Sequence, residues 1–395
     1  MGVAQLKNAE LNFGQSGSFI SQEELLNSYK PKRVTKNSPT VLDLFCGCGG
    51  LSLGFKRAGY NVLGGVDHDK SALLTYEANL KAHAMELDLF DDTWVKQCAK
   101  IIGTKSVDVI VGGPPCQGFS LTGTRIADDP RNKLYNAMFV ALKYFKPKVV
   151  LIENVRGMAT LYGGKAKQQV YKEYERHSYK VTSEILDAAQ YGVPQHRKRL
   201  FFVGVKDGEP SIPGPRLQPS DYVTCREAIG DFPWLPRGGK KITCEGGIFE
   251  DTQYEDEVPK NEYQRVMRLA SKASYKNHEA TKHKGFVIKT IMKLKEGENH
   301  KSLPKGYGES RKFNEAWTRY HGDKPSRTID TGHRNHFHYE QHRVPTVREN
   351  ARLQSFPDDF VFLGTRTAQN RQVGNAVPVL LSQAIALHLK EKKLV

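Results

Sequence analysis

The stretch TVLDLFCGCGGL, residues 40–51, decides the fold. Its first half, TVLDLF, is a short apolar run of the kind that fills a strand buried on both faces. It passes without a spacer into Cys46-Gly47-Cys48-Gly49-Gly50. Glycines there let the backbone turn sharply and approach a ligand, and a helix expected over 50–59 would open with unpaired N–H groups. Outward from this turn the same pattern recurs. NVLGGVD (61–67), SVDVIVGG (106–113), PKVVLIEN (147–154) and RLFFVGV (199–205) read as buried strands, with a further strand ending in ELDLF (86–90). Helices are expected over 69–80, 93–102 and 133–145. Strand and helix alternating in this way predict the α/β class: a doubly wound, mostly parallel sheet covered on both faces. In such sheets ligands bind beyond the carboxyl ends of the strands.

From about residue 206 the alternation fades and proline, glycine and charge rise, as in PSIPGPRLQPSDY (210–222) and FPWLPRGGKK (232–241). A helix-strong segment, NAVPVLLSQAIALHLK (375–390), then closes the chain. The expected partition is an N-terminal extension over 1–36, a catalytic and cofactor-binding domain over 37–205 plus 366–395, and an irregular domain inserted over 206–365. With 395 residues, 38% of them hydrophobic and 26% charged, the chain has the profile of a globular protein. No apolar run approaches the roughly 20 residues that span a bilayer. The N-terminus lacks an apolar signal core, and Leu6 stands where a myristoylation signal requires Ser or Thr. Six cysteines scattered without a framework pattern fit a reducing compartment. A cytoplasmic, nucleoid-associated protein with no membrane contact is expected.

The net charge of +16 favours a polyanionic partner, because neutralised phosphates release counterions. The excess is uneven: residues 261–345 carry 18 Lys/Arg against 9 Asp/Glu, with 8 of the 13 histidines. HRNHFHYEQH (333–342) matches no common metal-ligand spacing, and no metal is expected.

The strand ends carry the chemistry. Asp67 closes the second strand, where an acid can accept hydrogen bonds from both ribose hydroxyls; Asp88 follows in ELDLF, placed for an adenine amino group. The fourth strand ends in Gly112-Gly113-Pro114-Pro115-Cys116-Gln117-Gly118-Phe119-Ser120. Two prolines fix φ and stiffen the loop, so that Cys116 is held outward as a reactive thiol rather than packed as a small hydrophobe. The next strand ends in Glu153-Asn154-Val155, a carboxylate whose partial burial would raise its pKa and suit it to acid catalysis. Gln195-His196-Arg197-Lys198-Arg199 precedes the last strand; alternation puts Arg197 and Arg199 on one face.

These motifs, in this order, resemble the cytosine-5 DNA methyltransferases of the prokaryotic restriction–modification type. DLFCGCGG resembles the family's cofactor turn, GGPPCQGFS its nucleophile loop, ENV its glutamate motif and QHRKR its arginine motif. RENARLQSFPDDF (348–360) resembles the motif that supports the recognition domain, and RQVGNAVP (371–378) the final motif that completes the cofactor site. The resemblance implies an S-adenosylmethionine-dependent methyltransferase fold with an inserted DNA-recognition domain. It implies a cofactor site formed by Phe45, Gly47, Gly49, Gly50, Asp67, His68, Asp88, Leu89, Pro115, Leu134, Asn375 and Ala376. It implies catalysis by Cys116 as nucleophile at cytosine carbon 6, with Glu153 at N3 and Arg199 and Arg197 at the O2 carbonyl. Gln117, Ser120, Thr122 and Arg125 in the following loop, and Arg327-Thr328 in PSRTID, are expected to meet double-stranded DNA. A monomer is expected, beside a cognate restriction endonuclease that forms no stable complex with it.

Four rivals are weighed. An amino-methylating enzyme needs no covalent step and would place an aromatic residue where Cys116 stands. RNA enzymes that use a second cysteine after threonine are met only by Thr224-Cys225 and Thr243-Cys244, both beyond the arginine motif. A transfer-RNA-methylating relative shares the motifs but has a smaller recognition region. A catalytically inactive DNA-binding relative is opposed by the intact Cys116, Glu153 and Arg199.

Overall fold

The computed structural model describes residues 19–115, 130–235, 252–254, 258–271, 274–307, 316–332 and 335–395, with backbone only over 130–133. A seven-stranded sheet forms its centre. The strands are β1 (Thr40–Leu44), β2 (Asn61–Asp67), β3 (His83–Glu86), β4 (Val109–Gly112), β5 (Val149–Val155), β6 (Lys180–Asp187) and β7 (Lys198–Val205). Their order is β3-β2-β1-β4-β5-β7-β6. The first five run parallel; β7 lies antiparallel between β5 and β6. The order reverses between β1 and β4, and a doubly wound sheet opens its ligand crevice at such a switch point.

The apolar runs make strands because both of their faces are covered. Val41, Val109, Val111, Val149, Leu151, Phe201 and Val203 enter one core, while the alternate residues Leu42, Leu44, Ile110, Val150, Ile152, Leu200 and Phe202 enter the other. The first core is closed by α1 (Gln22–Ser28), α2 (Gly50–Arg57), α3 (Lys70–Leu80) and the C-terminal α12 (Val379–Glu391). Helices α4 (Trp94–Ile102), α5 (Pro130–Phe145) and α6 (Lys165–Arg176) close the second. The last helix is pinned to the first motif: Ser382 Oγ donates to the Leu51 carbonyl at 2.6 Å, and the Tyr60 hydroxyl to that of Ala386 at 2.9 Å.

Between β7 and α12 regular structure is sparse. It comprises α7 (Cys225–Ile229), α8 (Glu262–Arg268), α9 (Gly285–Ile291), α10 (Val347–Leu353) and α11 (Arg366–Asn375), with two-residue strand pairs Thr252–Gln253/Ser274–Tyr275 and Thr318–Arg319/His336–Phe337. Buried ions substitute for sheet. Arg352 donates from Nη1 to Asp231 at 3.1 Å and from Nε to Asp358 at 2.8 Å, and Arg343 grips Glu349 at 2.6 and 2.7 Å. Burial pulls the Glu349 carboxyl up, yet Arg343 outweighs it and holds the group far below the usual carboxylate range. His336 stacks on Tyr320, and His338 Nδ1 accepts the Glu340 and Gln341 N–H groups. Among the described residues no group of His, Cys, Asp and Glu is arranged to hold a metal, and no helix is long and apolar enough to cross a membrane.

Three elements depart from the expected pattern. Strand β6 and helix α6 have no counterpart in the sequence reading, and β3 ends at Glu86, two residues before Asp88.

Candidate active site

The carboxyl ends of β1, β2, β4 and β5 converge at the switch point. β1 is followed by Phe45, whose φ of 59° begins the turn, with Gly47 at 52° after it. Gly47 donates its N–H to Asp67 Oδ2 at 2.8 Å, joining the glycine turn to the end of β2. Asp67 Oδ1 accepts the Asp69 N–H at 2.9 Å, and Asp69 in turn caps α3 through Ser71 and Ala72. The glycines divide in role. A side chain at Gly47 would point into space with nothing within 4 Å, as at a wall that faces a ligand. One at Gly50 would lie 2.4 Å from the Val377 carbonyl, so Gly50 admits the returning final motif. The same approach brings Ala376 to the turn, with Asn375 exposed at the end of α11. Beneath the turn, Asp43 is buried and accepts from Ser52 Oγ at 2.6 Å; its Oδ1 has no hydrogen-bond partner among the described residues. Burial pushes this carboxyl up to about 7 against the Ser52 hydrogen bond.

Other expected cofactor residues are more dispersed. His68 is exposed, with Nδ1 3.3 Å from Asp67. Asp88 is exposed and accepts the Phe90 N–H at 2.9 Å; Leu89 beside it is buried, and Leu134 packs half-buried on the second core. Pro115 is exposed at the end of the described β4 loop. Cys116, Gln117, Ser120, Thr122 and Arg125 lie outside the described residues.

The position of Glu153, the expected catalytic carboxylate, is set by register. Gly112 pairs with Ile152, which brings Gly113 opposite Glu153. A side chain at Gly113 would meet Glu153 Oε2 at 3.1 Å. Arg199 Nε sits 3.1 Å from Glu153 Oε1, both side chains being largely buried. Burial raises the Glu153 pKa above the usual carboxylate value, opposed by Arg199 and then Arg197. The neighbouring Asn154 donates to the Pro114 carbonyl at 3.1 Å and accepts the Val155 N–H at 2.9 Å, tying the proline loop to the glutamate strand.

Arg197 departs from the expectation. β7 starts only at Lys198, so strand alternation does not govern Arg197. Its guanidinium is 2% exposed and donates to the carbonyls of Gly374 at 2.9 Å, Ile329 at 3.3 Å and Asn375 at 3.5 Å. Burial pushes its pKa down to about 9. Arg199 is left as the arginine that pairs with Glu153. The loop is held from both sides. Asp187, at the end of β6, accepts the Arg197 N–H at 3.1 Å and pairs with His196 Nδ1 at 3.0 Å. Gln195 is fully buried, donating to Gln354 Oε1 at 3.0 Å and accepting the Ile329 N–H at 3.1 Å. Thr328 donates to the His196 carbonyl at 2.7 Å, which braces the loop, and Arg327 lies exposed beside it. Sequence reasoning passed over Asn154, Asp187 and Gln195. Asn154 and Gln195 stood inside quoted motifs; Asp187 had no signal, because β6 itself was missed.

Comparison with known proteins agrees with this arrangement. Residues 39–391 match the family described as C-5 cytosine-specific DNA methylase. The chain is 40% identical over 360 residues to the type II methyltransferase M1.HphI of Haemophilus parahaemolyticus, covering 88% of this chain and 86% of that protein. It is 36% identical over 379 residues to the type II methyltransferase M.DdeI of Desulfomicrobium norvegicum, covering 88% and 87%. A solved structure described as a DNA modification methyltransferase encoded within an E. coli prophage superposes with a TM-score of 0.69 at 26% identity, covering 90% of this chain and 99% of that one. The motif order, the mostly parallel sheet and these relationships agree: the chain belongs to the C-5 cytosine-specific DNA methylases, as an enzyme of the restriction–modification type.

Proposed function

We propose that this enzyme methylates carbon 5 of a specific flipped-out cytosine in double-stranded DNA, using S-adenosylmethionine and a covalent Cys116–cytosine intermediate. The observation that carries the reading is the buried Glu153 carboxyl, paired with Arg199 and lying against Gly113, three residues before Cys116.

The residues at the ends of β1 and β2 suit S-adenosylmethionine. The space beyond Gly47 is open, and each Asp67 oxygen that accepts one backbone N–H keeps a lone pair for a ribose hydroxyl. Phe45, Asn375 and Ala376 border the same turn, and the site extends to Gly49, His68, Asp88, Leu89, Pro115 and Leu134. When bound, the cofactor supplies a sulfonium methyl as electrophile.

The chain's own groups do the rest. The Cys116 thiolate adds to cytosine carbon 6, splitting one hard step into two easier ones. Glu153, whose pKa burial raises, donates a proton to N3 as charge develops on the ring. Arg199 holds the O2 carbonyl and favours the thiolate. Arg197 acts as a positioning residue through its carbonyl contacts. After carbon 5 has taken the methyl group, its proton passes to water, N3 returns its proton to Glu153, and the thiolate leaves. Extrusion of the base from the duplex costs a few kcal/mol, met by DNA contacts from the 206–365 region, Arg327 and the loop after Cys116. The remaining partition assigns 37–205 with 366–395 to catalysis and 1–36 to an extension. The enzyme works as a monomer in the bacterial cytoplasm, beside a nuclease of the same specificity.

The test is a covalent trap with duplex DNA carrying 5-fluorocytosine, and matched transfer RNA as control. A denaturation-resistant band on DNA that Cys116→Ser abolishes is expected. A band on RNA alone would move the substrate to RNA; none at all, with DNA still bound in a native gel, would leave a binding module. Glu153→Gln is expected to lower kcat by about 10²–10⁴ while retaining DNA binding, and a near-normal rate would remove Glu153 from N3.

A further inference from the structure

Helix α9 stands in the most basic stretch of the chain and exposes apolar surface. Phe286 is 55% and Met292 54% exposed. Phe286 stacks face to face on Tyr307, ring centroids 5.6 Å apart and planes 4° from parallel, and Lys293 Nζ lies 5.2 Å from the Tyr307 centroid. The platform has a firm seat. Beneath it Ile291 and Leu294 pack with Trp317, Phe337 and Val344 in a small core of their own. The buried Arg319 guanidinium binds the carbonyls of Leu294 at 3.0 Å and Tyr339 at 2.9 Å, fixing the end of α9.

Along residues 282–295 the charge is one-sided. Lys282, Lys284, Lys289, Lys293 and Lys295 are all exposed. Among the described carboxylates that follow, Glu296 accepts the Gly322 N–H at 2.6 Å, and Glu298 the Lys295 N–H at 2.8 Å. A protected protein–protein face would be depleted of lysine at its centre. Flat aromatic surface ringed by lysine instead matches a polyanion with apolar edges, as the major groove of DNA is where it presents thymine methyl groups between two rows of phosphates.

We propose that the Phe286–Tyr307 platform reads the recognition sequence of this enzyme by apolar contact of Phe286 with a thymine 5-methyl group in the major groove, while Lys289 and Lys293 hold the flanking phosphates. The assignment rests on the reading that the enzyme methylates duplex DNA, and it names specificity-determining residues within that reading. Phe286 contributes sequence information; the lysines contribute register and affinity without it.

The test pairs a chemical deletion with a mutation. Once the methylated site is mapped, each thymine in it is replaced by deoxyuridine, which lacks only the methyl group. For the wild-type enzyme one such replacement is expected to lower kcat/KM about fourfold, the value of one methyl group withdrawn from water. Phe286→Ala is expected to show the same loss on the natural site and no further response to deoxyuridine. Its affinity for S-adenosylhomocysteine should be unchanged, which shows that the variant is folded. Lys293→Ala should weaken binding alike on all sequences and lower the salt slope by about one. A wild-type enzyme indifferent to every thymine methyl, or a Phe286→Ala variant that keeps the full response, would overturn the assignment. If wild-type enzyme methylated no DNA at all, the underlying reading would fall and the assignment with it.

Discussion

Replacing Arg197 by alanine separates two roles that the sequence alone runs together. In the structure its guanidinium serves three backbone carbonyls on two returning segments, Ile329 on one and Gly374 with Asn375 on the other. Two of these bonds, at 2.9 and 3.3 Å, are well formed, and losing a charged donor from a buried acceptor costs about 2 kcal/mol each. The deleted stem leaves a cavity that adds about 1–2 kcal/mol. Relief works the other way: burial depresses this guanidinium to about 9, so removing the cation returns part of the loss. The net expectation is a destabilisation of about 3 kcal/mol, together with weakened S-adenosylhomocysteine binding, because Asn375 borders the cofactor turn. Urea denaturation followed by tryptophan fluorescence, with calorimetric titration of S-adenosylhomocysteine, measures both. A variant with wild-type stability and cofactor affinity but kcat reduced a hundredfold would refute the reasoning and place Arg197 on the base.

Two glycines of the first turn are expected to respond oppositely to alanine. Gly50→Ala drives a methyl group to 2.4 Å from the Val377 carbonyl and should destabilise by about 2–3 kcal/mol, read as a lowered unfolding midpoint. Gly47→Ala meets no atom and bears only its φ of +52°, about 1 kcal/mol, so its larger effect should fall on S-adenosylhomocysteine affinity; equal responses in both assays would contradict the division of roles. Acid should destabilise the fold well above the carboxylate range. Burial pushes His278 down to about 4 and His338 down to about 3, so the folded protein keeps both neutral while the unfolded chain protonates below about 6.5. The unfolded state then binds more protons, and stability falls with pH by about 1.4 kcal/mol per unit for each histidine, in a window from about 6.5 down to 4. Unfolding free energies equal at pH 7.5 and 5.5 would exclude this.

The parts of the fold legible in the sequence are those where hydrophobic pattern alone determines the outcome. β1, β4, β5 and β7 are continuous apolar runs because both faces are buried, and no competing structure satisfies such runs. β6, KVTSEILD, sits at the sheet edge with only its last residues buried, so its composition is half polar and the run disappears. Helix α6 buries Ala166, Val170 and Tyr174, four residues apart, within an otherwise charged sequence, too thin a stripe to stand out. In the site, Glu153 and Arg199 were readable because strand register carries them to one place. The contacts of Arg197 were not legible because its neighbours in space, Ile329 and Gly374, lie far along the chain, and β7 begins only at the residue after it. Asp88 was read as a strand end, whereas β3 stops at Glu86 and leaves Asp88 in a turn.

The basic excess of the chain is legible in the sequence, but which of its cations reach the surface is not, and the reason lies in the difference between the two basic side chains. Among the described residues seven arginines are buried (57, 197, 268, 319, 343, 348 and 352) and no lysine is. Arginine carries five donors in a planar fork and can serve several carbonyls or a carboxylate at once, whereas lysine is a strongly hydrated point charge. Irregular segments, which lack ladders to satisfy their backbone, recruit that fork. Arg319 takes carbonyls around α9, and Arg348 holds the Pro357 carbonyl at 3.1 Å and the Lys276 carbonyl at 2.9 Å. Arg352 joins Asp231 to Asp358. The arginines of this region therefore supply the rigidity that a sheet would otherwise give, and their charge is spent inside the protein. Among the described residues the lysines keep their charge at or near the surface, where it can meet phosphate as a point charge. In the proposed reading, sequence discrimination comes from surface that is not merely basic, and the exposed ring of Phe286 carries it rather than the positive charge around it.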